Sequence, residues 1–209
     1  MKRNSIIVMG FLLICLVIPF SALAKNTRFY IVAKPGAYFP QDELEDFDTG
    51  FNGELAFGVQ LSKNLAAEMN LGYFYTGMEQ EVPVRIITNG SSFFTSGREE
   101  ANIDVVPVTF ALKGILPYRQ WEFFVLGGLG AYFVWAKNKI SVLSFSGEID
   151  GNDIVFGAYV GVGIHYNLTK QFFIGAEGKY LLTDRADIER GYKFNLNGFI
   201  TNAVIGFRF

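Results

Sequence analysis

The chain has 209 residues, half of them hydrophobic and 16% aromatic, with 23 glycines and a formal net charge of −2. This mild acidity argues against a basic nucleic-acid-binding face. Beyond residue 24 no apolar run reaches the ~20 residues that a membrane-spanning helix needs, whereas abundant glycine and aromatic residues are typical of membrane β-barrels with aromatic girdles.

The first 24 residues have the order of a cleaved secretory signal peptide. Lys2 and Arg3 precede an apolar run over 6–20, and the sequence S-A-L-A then offers a small-residue cleavage site. We therefore divide the chain into a signal peptide, 1–24, and one mature domain, 25–209. The single cysteine, Cys15, lies in the leader, so the mature domain is expected to contain no disulfide.

The mature domain alternates apolar and polar residues with a period of two, which predicts half-buried strands. Eight such segments are present, at about 29–39, 51–62, 65–76, a fourth ending at 113, 121–135, 154–168, 172–182 and 198–209. Tight turns near 63, 117 and 168 alternate with longer connections at 40–50, 77–101, 137–152 and 183–193. This alternation predicts an all-β, eight-stranded antiparallel up-and-down transmembrane barrel with short periplasmic turns. Pro35 is predicted to mark a bulge in the first strand.

Each predicted strand has one face without charge in its central part. Reversing the two faces would place seven charged side chains in hydrocarbon, at a cost of ~2–4 kcal/mol for each Lys or Arg near the midplane. The uncharged faces are therefore predicted to contact lipid, and the ionic faces to meet inside, where acids and bases should pair. The predicted interior polar network comprises Glu54, Glu68, Lys113, Glu122, His165, Glu177, Lys179 and Arg208, with Lys34 as a further candidate.

An eight-stranded barrel is just wide enough to be filled by its own side chains. Five glycines fall on the predicted inward faces, where they should make room for large neighbours such as Phe124 and Tyr132: Gly128, Gly130, Gly157, Gly161 and Gly163. We therefore expect a plugged interior and a poor open pore.

Several segments resemble the small outer-membrane β-barrel family, the OmpA-like and OmpX/Ail-like barrels, across 25–209. They are F-Y-I-V-A-K-P-G-A-Y-F-P, F-F-V-L-G-G-L-G-A-Y-F, G-A-Y-V-G-V-G-I-H-Y-N-L-T, I-G-A-E-G-K-Y and the C-terminal aromatic. The resemblance implies a bacterial outer-membrane location, contact with outer-membrane lipid and lipopolysaccharide, and recognition of Phe207 and Phe209 by the outer-membrane assembly machinery. Because the sequence stops at the last strand, the periplasmic anchoring role of some family members is not expected.

Members of this family include adhesins, structural anchors and narrow channels. We favour a non-enzymatic protein with a structural or surface-interaction role through its loops, without cofactor or metal; a narrow channel for small solutes is the alternative. A lipid A-modifying enzyme is a third hypothesis, because His165 followed by Glu177 resembles the lipid A deacylase pattern. Asn167 stands where that pattern has its nucleophilic serine, so we expect no catalytic residue.

Two outer loops carry further candidates. The acidic loop 41–50 could hold divalent cations, although its spacing does not match a calcium-binding loop and a solvated acidic loop is the simpler interpretation. The 77–101 loop contains an alternating segment followed by Asn89-Gly90, a strong hairpin signal. Strands three and four could therefore project as a ribbon that pairs with a surface protein, or that only shields the barrel mouth.

Overall fold

The computed structural model describes residues 28–88, 91–142, 145–188 and 192–209. The predicted signal peptide and the Asn89-Gly90 dipeptide lie outside these ranges. Within them, no helix has the length and apolar character required to cross a membrane.

Eight long strands form a closed antiparallel barrel, as the alternating pattern predicts. They are β1 (Arg28–Pro40), β2 (Gly50–Ser62), β3 (Leu65–Thr88), β4 (Ser91–Tyr118), β5 (Trp121–Val142), β6 (Phe145–Asn167), β7 (Phe172–Thr183) and, after a small hairpin of β8 (Ala186–Ile188) and β9 (Tyr192–Phe194), β10 (Gly198–Arg208). The order around the ring is β1-β10-β7-β6-β5-β4-β3-β2, so each strand lies beside its neighbours along the barrel chain. The last strand closes the ring against the first, from Tyr30↔Arg208 to Pro40↔Gly198.

The two faces of each strand have opposite environments. Along β10, positions from Gly198 to Gly206 alternate regularly between buried and exposed. Leu129 and Phe156, on the predicted lipid face, are 66% and 67% exposed, whereas Glu68 and Lys113 on the opposite face are almost fully buried. The predicted assignment of faces is therefore confirmed.

Aromatic side chains mark both ends of the apolar outer wall. At the end with the short turns, the Trp121 ring lies 4.7 Å from that of Tyr166, whose hydroxyl donates to Gln120 Oε1 at 2.6 Å. At the other end, the Tyr73 hydroxyl donates to Asp104 Oδ1 at 2.5 Å. An apolar band between two aromatic belts is the arrangement that fits a bilayer.

Four neighbouring strands continue well beyond the rest of the barrel. β3 and β4 stay paired as far as Thr88↔Ser91, and β5 and β6 as far as Val142↔Phe145. Pairing of β4 with β5 out to Arg98↔Ser141 joins the two hairpins into one projecting sheet, formed by the described residues of 77–101 and 137–152. The ribbon predicted for strands three and four is present.

The prediction of a long loop at 137–152 is wrong, because β5 and β6 pair through this segment. A period-two pattern is enforced where one face meets lipid and the other a packed interior. Past the membrane neither constraint applies, and the strand signal in the sequence weakens although the backbone pairing persists.

The bulge predicted at Pro35 is also absent. β1 keeps one register with β2 through Lys34, Pro35 and Gly36, and only its ladder to β10 is interrupted at Lys34 and Pro35. Proline lacks an N–H, so it removes a ladder hydrogen bond without inserting a residue. The register shift instead lies between Gln60 and Ser62, beside the β2–β3 turn.

Two outer connections fold back over the extracellular mouth. A short 3₁₀ turn (Asp42–Leu44) follows β1, and the β8–β9 hairpin occupies the connection predicted at 183–193. Their apolar side chains join the upper core, and the Tyr38 hydroxyl donates to the Leu196 carbonyl at 3.0 Å. We call this cover the outer lid; its buried side chains are Leu44, Ala186, Ile188, Phe194 and Leu196.

Inward-facing glycines leave space for aromatic rings, as predicted. A Cβ at Gly163 would lie 2.7 Å from Phe124 Cε2, and one at Gly157 would lie 2.9 Å from Tyr132 Cε2. Real Cβ atoms do not approach so closely. The small residues are therefore part of the packing of the lumen.

Substitution of Gly128 by valine is expected to destabilise the barrel by about 1–3 kcal/mol through overpacking. A Cβ at Gly128 would lie 2.6 Å from the Tyr159 hydroxyl oxygen. Gly127→Val is a matched control on the adjacent, outward position, where the nearest atom is 3.9 Å away; it should be neutral or stabilising, since valine favours strands. Urea unfolding in lipid vesicles would measure both, and equal losses would contradict the inward packing.

Candidate functional site: the interior polar network

A central cluster of charges ties together four strands of the barrel. Lys34 Nζ on β1 lies 3.0 Å from Glu68 Oε2 on β3 and 3.0 Å from Glu177 Oε2 on β7. Lys113 Nζ on β4 lies 2.5 Å from Glu68 Oε1. The Tyr30 hydroxyl donates to Glu68 Oε1 at 2.9 Å. Lys34, only a further candidate in the sequence, is thus at the centre of the cluster.

A second cluster lies between the central one and the outer lid. Lys179 Nζ on β7 donates to both carboxylate oxygens of Glu54 on β2, at 2.5 and 2.8 Å, and lies 4.7 Å from the centre of the Tyr159 ring. Asn52 Nδ2 donates to Asn202 Oδ1 at 2.7 Å. This cluster connects β7 with β2 across the lumen.

The buried charges of the lumen balance. Among the described residues, Lys34, Lys113 and Lys179 face three buried glutamates, Glu54, Glu68 and Glu177. A charge taken out of water is very costly unless it is paired and hydrogen-bonded, so this neutrality is a condition for a closed interior. Sequence reasoning missed the uncharged partners, although they lie on the same inward period-two positions: Tyr30, Asn52, Asn70, Tyr159 and Asn202.

A third, half-buried pair lies at the periplasmic end. Arg208 Nη2 lies 2.6 Å from Glu122 Oε2, and Arg208 Nη1 donates to Asn167 Oδ1 at 2.5 Å. Asn167 in turn donates to Glu122 Oε1 at 3.1 Å. The three side chains form a hydrogen-bonded triangle that joins β5, β6 and β10 at the mouth of the barrel.

His165 is a packed side chain beside this triangle. Its Nδ1 lies 3.8 Å from Glu122 Oε2, and its ring is 4.5 Å from that of Phe124 and 4.6 Å from that of Phe173. Glu177, which the deacylase pattern would pair with it, is held by Lys34 instead. In the described parts of the chain no Ser or Thr hydroxyl is hydrogen-bonded to His165, whereas a histidine-activated hydroxyl is what the deacylase pattern requires.

Little space remains around these clusters. One cavity of about 10 Å³ lies against Glu54, Tyr159 and Lys179. Another of about 10 Å³ lies against His165 and Arg208. Each has room for about one water molecule, so side chains fill the lumen at both levels.

Two acidic side chains of the 41–50 loop are engaged in holding the outer lid. Asp42 Oδ2 accepts a hydrogen bond from Asn197 Nδ2 at 2.7 Å. Glu43 Oε1 lies 2.7 Å from Arg185 Nη2, and its other oxygen accepts from the Asn195 N–H at 2.8 Å. Across the described ranges, no group of three His, Cys, Asp or Glu side chains is placed to hold a metal ion.

Phe207 and Phe209 lie in the lower aromatic belt. The Phe207 ring is 4.8 Å from that of Phe172 and 5.3 Å from that of Phe209. Phe209 is 66% exposed, while its N–H donates to the Phe29 carbonyl at 2.9 Å across the seam of the barrel. Both rings are therefore presented at the periplasmic end of the outer wall.

Comparison with known proteins agrees with this architecture. Solved structures with a similar fold include a major outer membrane protein from Thermus thermophilus (12% identity, 88% of this chain and 100% of that one, TM-score 0.55). OprG from Pseudomonas aeruginosa (15%, 88% and 97%, 0.52) is a further example. At such identities the likeness concerns the fold. No curated protein matches the sequence.

A sequence model described as the outer membrane protein beta-barrel domain matches residues 10–207, which is nearly the whole chain. The match agrees with the closed ring, the apolar outer wall and the two aromatic belts. The chain therefore belongs to the outer membrane protein β-barrel domain family and is a protein of the bacterial outer membrane.

Proposed function

We propose that this protein is a non-enzymatic surface-interaction protein that acts through its extracellular face. The observation that carries the proposal is the projecting sheet. From Gly77 to Thr88, β3 continues past the start of β2, a path of about 40 Å along the strand. Because side chains fill the lumen and its buried charges cancel, the extracellular surface supports a function better than transport through the barrel does.

The projecting sheet has an open edge on β3. Pairing between β2 and β3 stops at Phe51↔Tyr75, and the Asp48 N–H then bonds the Gly77 carbonyl at 2.9 Å. In the described chain no strand pairs with β3 on this side beyond that point. An open edge can take up a strand of a partner protein.

Charged residues along this edge would limit which strands can pair with it. Glu79 on β3 lies 2.5 Å from Arg98 on the neighbouring strand β4, which also lies 2.9 Å from Glu100, and the Glu79 and Arg98 side chains are more than half exposed. Charges and proline on an edge strand, here Glu79, Glu81 and Pro83, oppose indiscriminate pairing. The edge is therefore suited to a selective partner rather than to self-association.

Shortening the first hairpin tests this function. Met78 and Ala101 are directly paired, so residues 79–100 can be replaced by the two-residue turn Asn-Gly without disturbing the barrel register. Cells that display the shortened protein should lose attachment to a panel of immobilised extracellular-matrix proteins, falling to the level of cells without the gene. Heat-modifiable gel migration would show that the barrel still folds.

The second hairpin provides a matched control. Asn138 and Ile149 are also directly paired, and replacing 139–148 by Asn-Gly removes a shorter projection, ten residues against 22, while leaving the β3 edge in place. This variant should retain attachment. Loss in both variants would show that the β3 edge alone does not determine attachment, and retention in the first would refute the proposal.

Two measurements separate this function from the alternatives. The purified protein in a planar lipid bilayer should show no discrete conductance steps, since the lumen is filled; steady openings would favour a narrow channel for small solutes. Mass spectra of lipid A from cells with and without the gene should be the same. An acyl-chain difference would favour a lipid A-modifying enzyme.

The proposal includes three partners of the barrel wall. Outer-membrane lipid and lipopolysaccharide would contact the apolar outer wall. The outer-membrane assembly machinery would recognise Phe207 and Phe209, and the exposure of Phe209 beside the β1–β10 seam supports that role.

A further inference from the structure

Besides Arg208, four basic residues lie at the periplasmic end in the described part of the chain, one at the start of β1 and one in each short turn. Arg28 begins β1, Lys63 is in the β2–β3 turn, Arg119 is in the β4–β5 turn, and Lys170 is in the β6–β7 turn. All four side chains are exposed. Because these connections are the short ones, they lie on the periplasmic side of the membrane. We call this set the basic rim.

The basic rim has no acidic counterpart among the described side chains. The acidic side chain at this end is Glu122, and it is already paired with Arg208 at 2.6 Å. None of the four rim residues forms an ion pair with a carboxylate within the described ranges. The rim therefore has an excess of four positive side-chain charges, beneath a lumen whose charges cancel.

Three rim residues converge on one open recess. A cavity of about 520 Å³ at the periplasmic mouth is lined by the rim residues Arg28, Arg119 and Lys170 and by the Arg208–Glu122 pair. The fixed fork of an arginine guanidinium matches two oxygens of a phosphate group, and a lysine adds a point charge. The recess is thus chemically suited to a phosphate-bearing anion.

Arg119 occupies a backbone position where another residue would be expected. Its φ of 57° lies in the left-handed region, which in two-residue hairpin turns favours glycine or asparagine. An arginine accepts this conformation at some cost. Its guanidinium lies 5.7 Å from the centre of the Tyr118 ring.

The rim lies at the level of lipid headgroups. Each basic residue is next to an outward apolar side chain of the lower belt: Phe29 beside Arg28, Leu65 near Lys63, Tyr118 beside Arg119 and Phe172 near Lys170. Aromatic belts mark the interface between hydrocarbon and headgroups. The charges just beyond that belt therefore face headgroup phosphates and not bulk periplasm alone.

We propose that the basic rim binds anionic phospholipids of the inner leaflet through their phosphate groups. A lipid with net negative charge gains from four basic residues that have no carboxylate partner, whereas a zwitterionic headgroup brings its own cation to the same phosphate. This interaction goes beyond the proposed surface-interaction function and does not depend on it, since it concerns the opposite end of the barrel.

Lipid retention in nanodiscs tests the proposal. The protein is placed in discs of equimolar phosphatidylglycerol and phosphatidylcholine, and the lipids that remain bound after release are counted by native mass spectrometry. The wild-type protein should retain phosphatidylglycerol in preference, by roughly five-fold, as expected for a basic residue near an anionic surface. The quadruple variant R28Q/K63Q/R119N/K170Q should retain both lipids alike; asparagine is chosen at 119 because it tolerates the left-handed backbone.

A variant with four basic residues removed from the extracellular end, R98Q/K137Q/K139Q/K193Q, is the matched control and should keep the preference. Equal enrichment in wild type and rim variant, or none in the wild type, would overturn the proposal. Excess inorganic phosphate at matched ionic strength should leave the enrichment largely intact; complete displacement would identify a site for free anions and overturn lipid binding.

Folding of the rim variant is checked by heat-modifiable migration. If the rim variant fails to fold, the salt dependence of the wild-type protein tests the proposal instead. Phosphatidylglycerol enrichment that arises from exposed charges must fall as the sodium chloride concentration is raised. The single variant K170Q provides a second test in a turn whose backbone it leaves unchanged. Enrichment that is insensitive to both salt and K170Q would contradict the proposal.

Discussion

Replacing Glu68 with alanine is expected to lower the free energy of unfolding by about 3–5 kcal/mol, the loss typical of breaking a buried ion pair. Its carboxylate accepts from Lys34 Nζ at 3.0 Å, from Lys113 Nζ at 2.5 Å and from the Tyr30 hydroxyl at 2.9 Å. Without it, Lys113 remains buried with no carboxylate to neutralise it, while Lys34 keeps Glu177. Urea unfolding in lipid vesicles, followed by tryptophan fluorescence, would measure the loss.

Two variants make the result specific. Glu79→Ala removes a carboxylate that also pairs with a base, but here both side chains are more than half exposed, and such pairs contribute little to stability. The double variant E68M/K113M removes one buried acid together with one buried base and keeps the lumen neutral. It should recover most of the loss. A Glu68→Ala effect as small as that of Glu79→Ala would show that the network does not hold the barrel.

Arginine at Leu129 is expected to destabilise the protein in a bilayer by about 2–4 kcal/mol. Leu129 lies midway along the membrane part of β5 on the outer wall and is 66% exposed. A charge there would face hydrocarbon near the midplane. The same vesicle unfolding measurement applies, and the barrel should still form because the substituted side chain does not enter the lumen.

Leu116→Arg is the control for depth. Leu116 is also 66% exposed on the outer wall, but it lies two residues before the end of β4, beside the periplasmic turn. Its arginine can reach the headgroups, so the expected cost is only about 0–1 kcal/mol. Equal costs at the two positions would show that Leu129 does not lie nearer the bilayer midplane than Leu116, and would contradict the predicted depth of the barrel in the membrane.

The faces of the strands were predictable because two environments impose opposite demands on adjacent residues. Hydrocarbon excludes charge from one side, and the narrow lumen gathers Glu54, Lys113 and Lys179 on the other. Past the membrane those demands end, and the paired segment at 137–152 could not be distinguished from a loop. The outer lid was missed for a related reason: its apolar residues are few and lack a regular period.

The partners within the lumen could not be predicted from strand patterns alone. Lys34 and Glu177 are 143 residues apart, and they meet because of the stagger between strands when the ring closes. By contrast, Glu122 and His165 are directly opposite in the β5–β6 hairpin. The register of this hairpin is set at its far end, beyond the membrane, where Val142 pairs with Phe145. Because the sequence pattern did not reveal that end, the pairing of Glu122 with His165 could not be counted from it.

The long sequence separation of the lumen's ion pairs has a consequence for biogenesis. Lys34 with Glu177, and Lys179 with Glu54, join early strands to a late one, so a partly assembled sheet would hold ionised side chains without counter-charges. Such a sheet could enter hydrocarbon only with its inner surface still hydrated. Insertion and the meeting of the first and last strands are therefore expected to occur as one concerted event, with water leaving the interior at the final step.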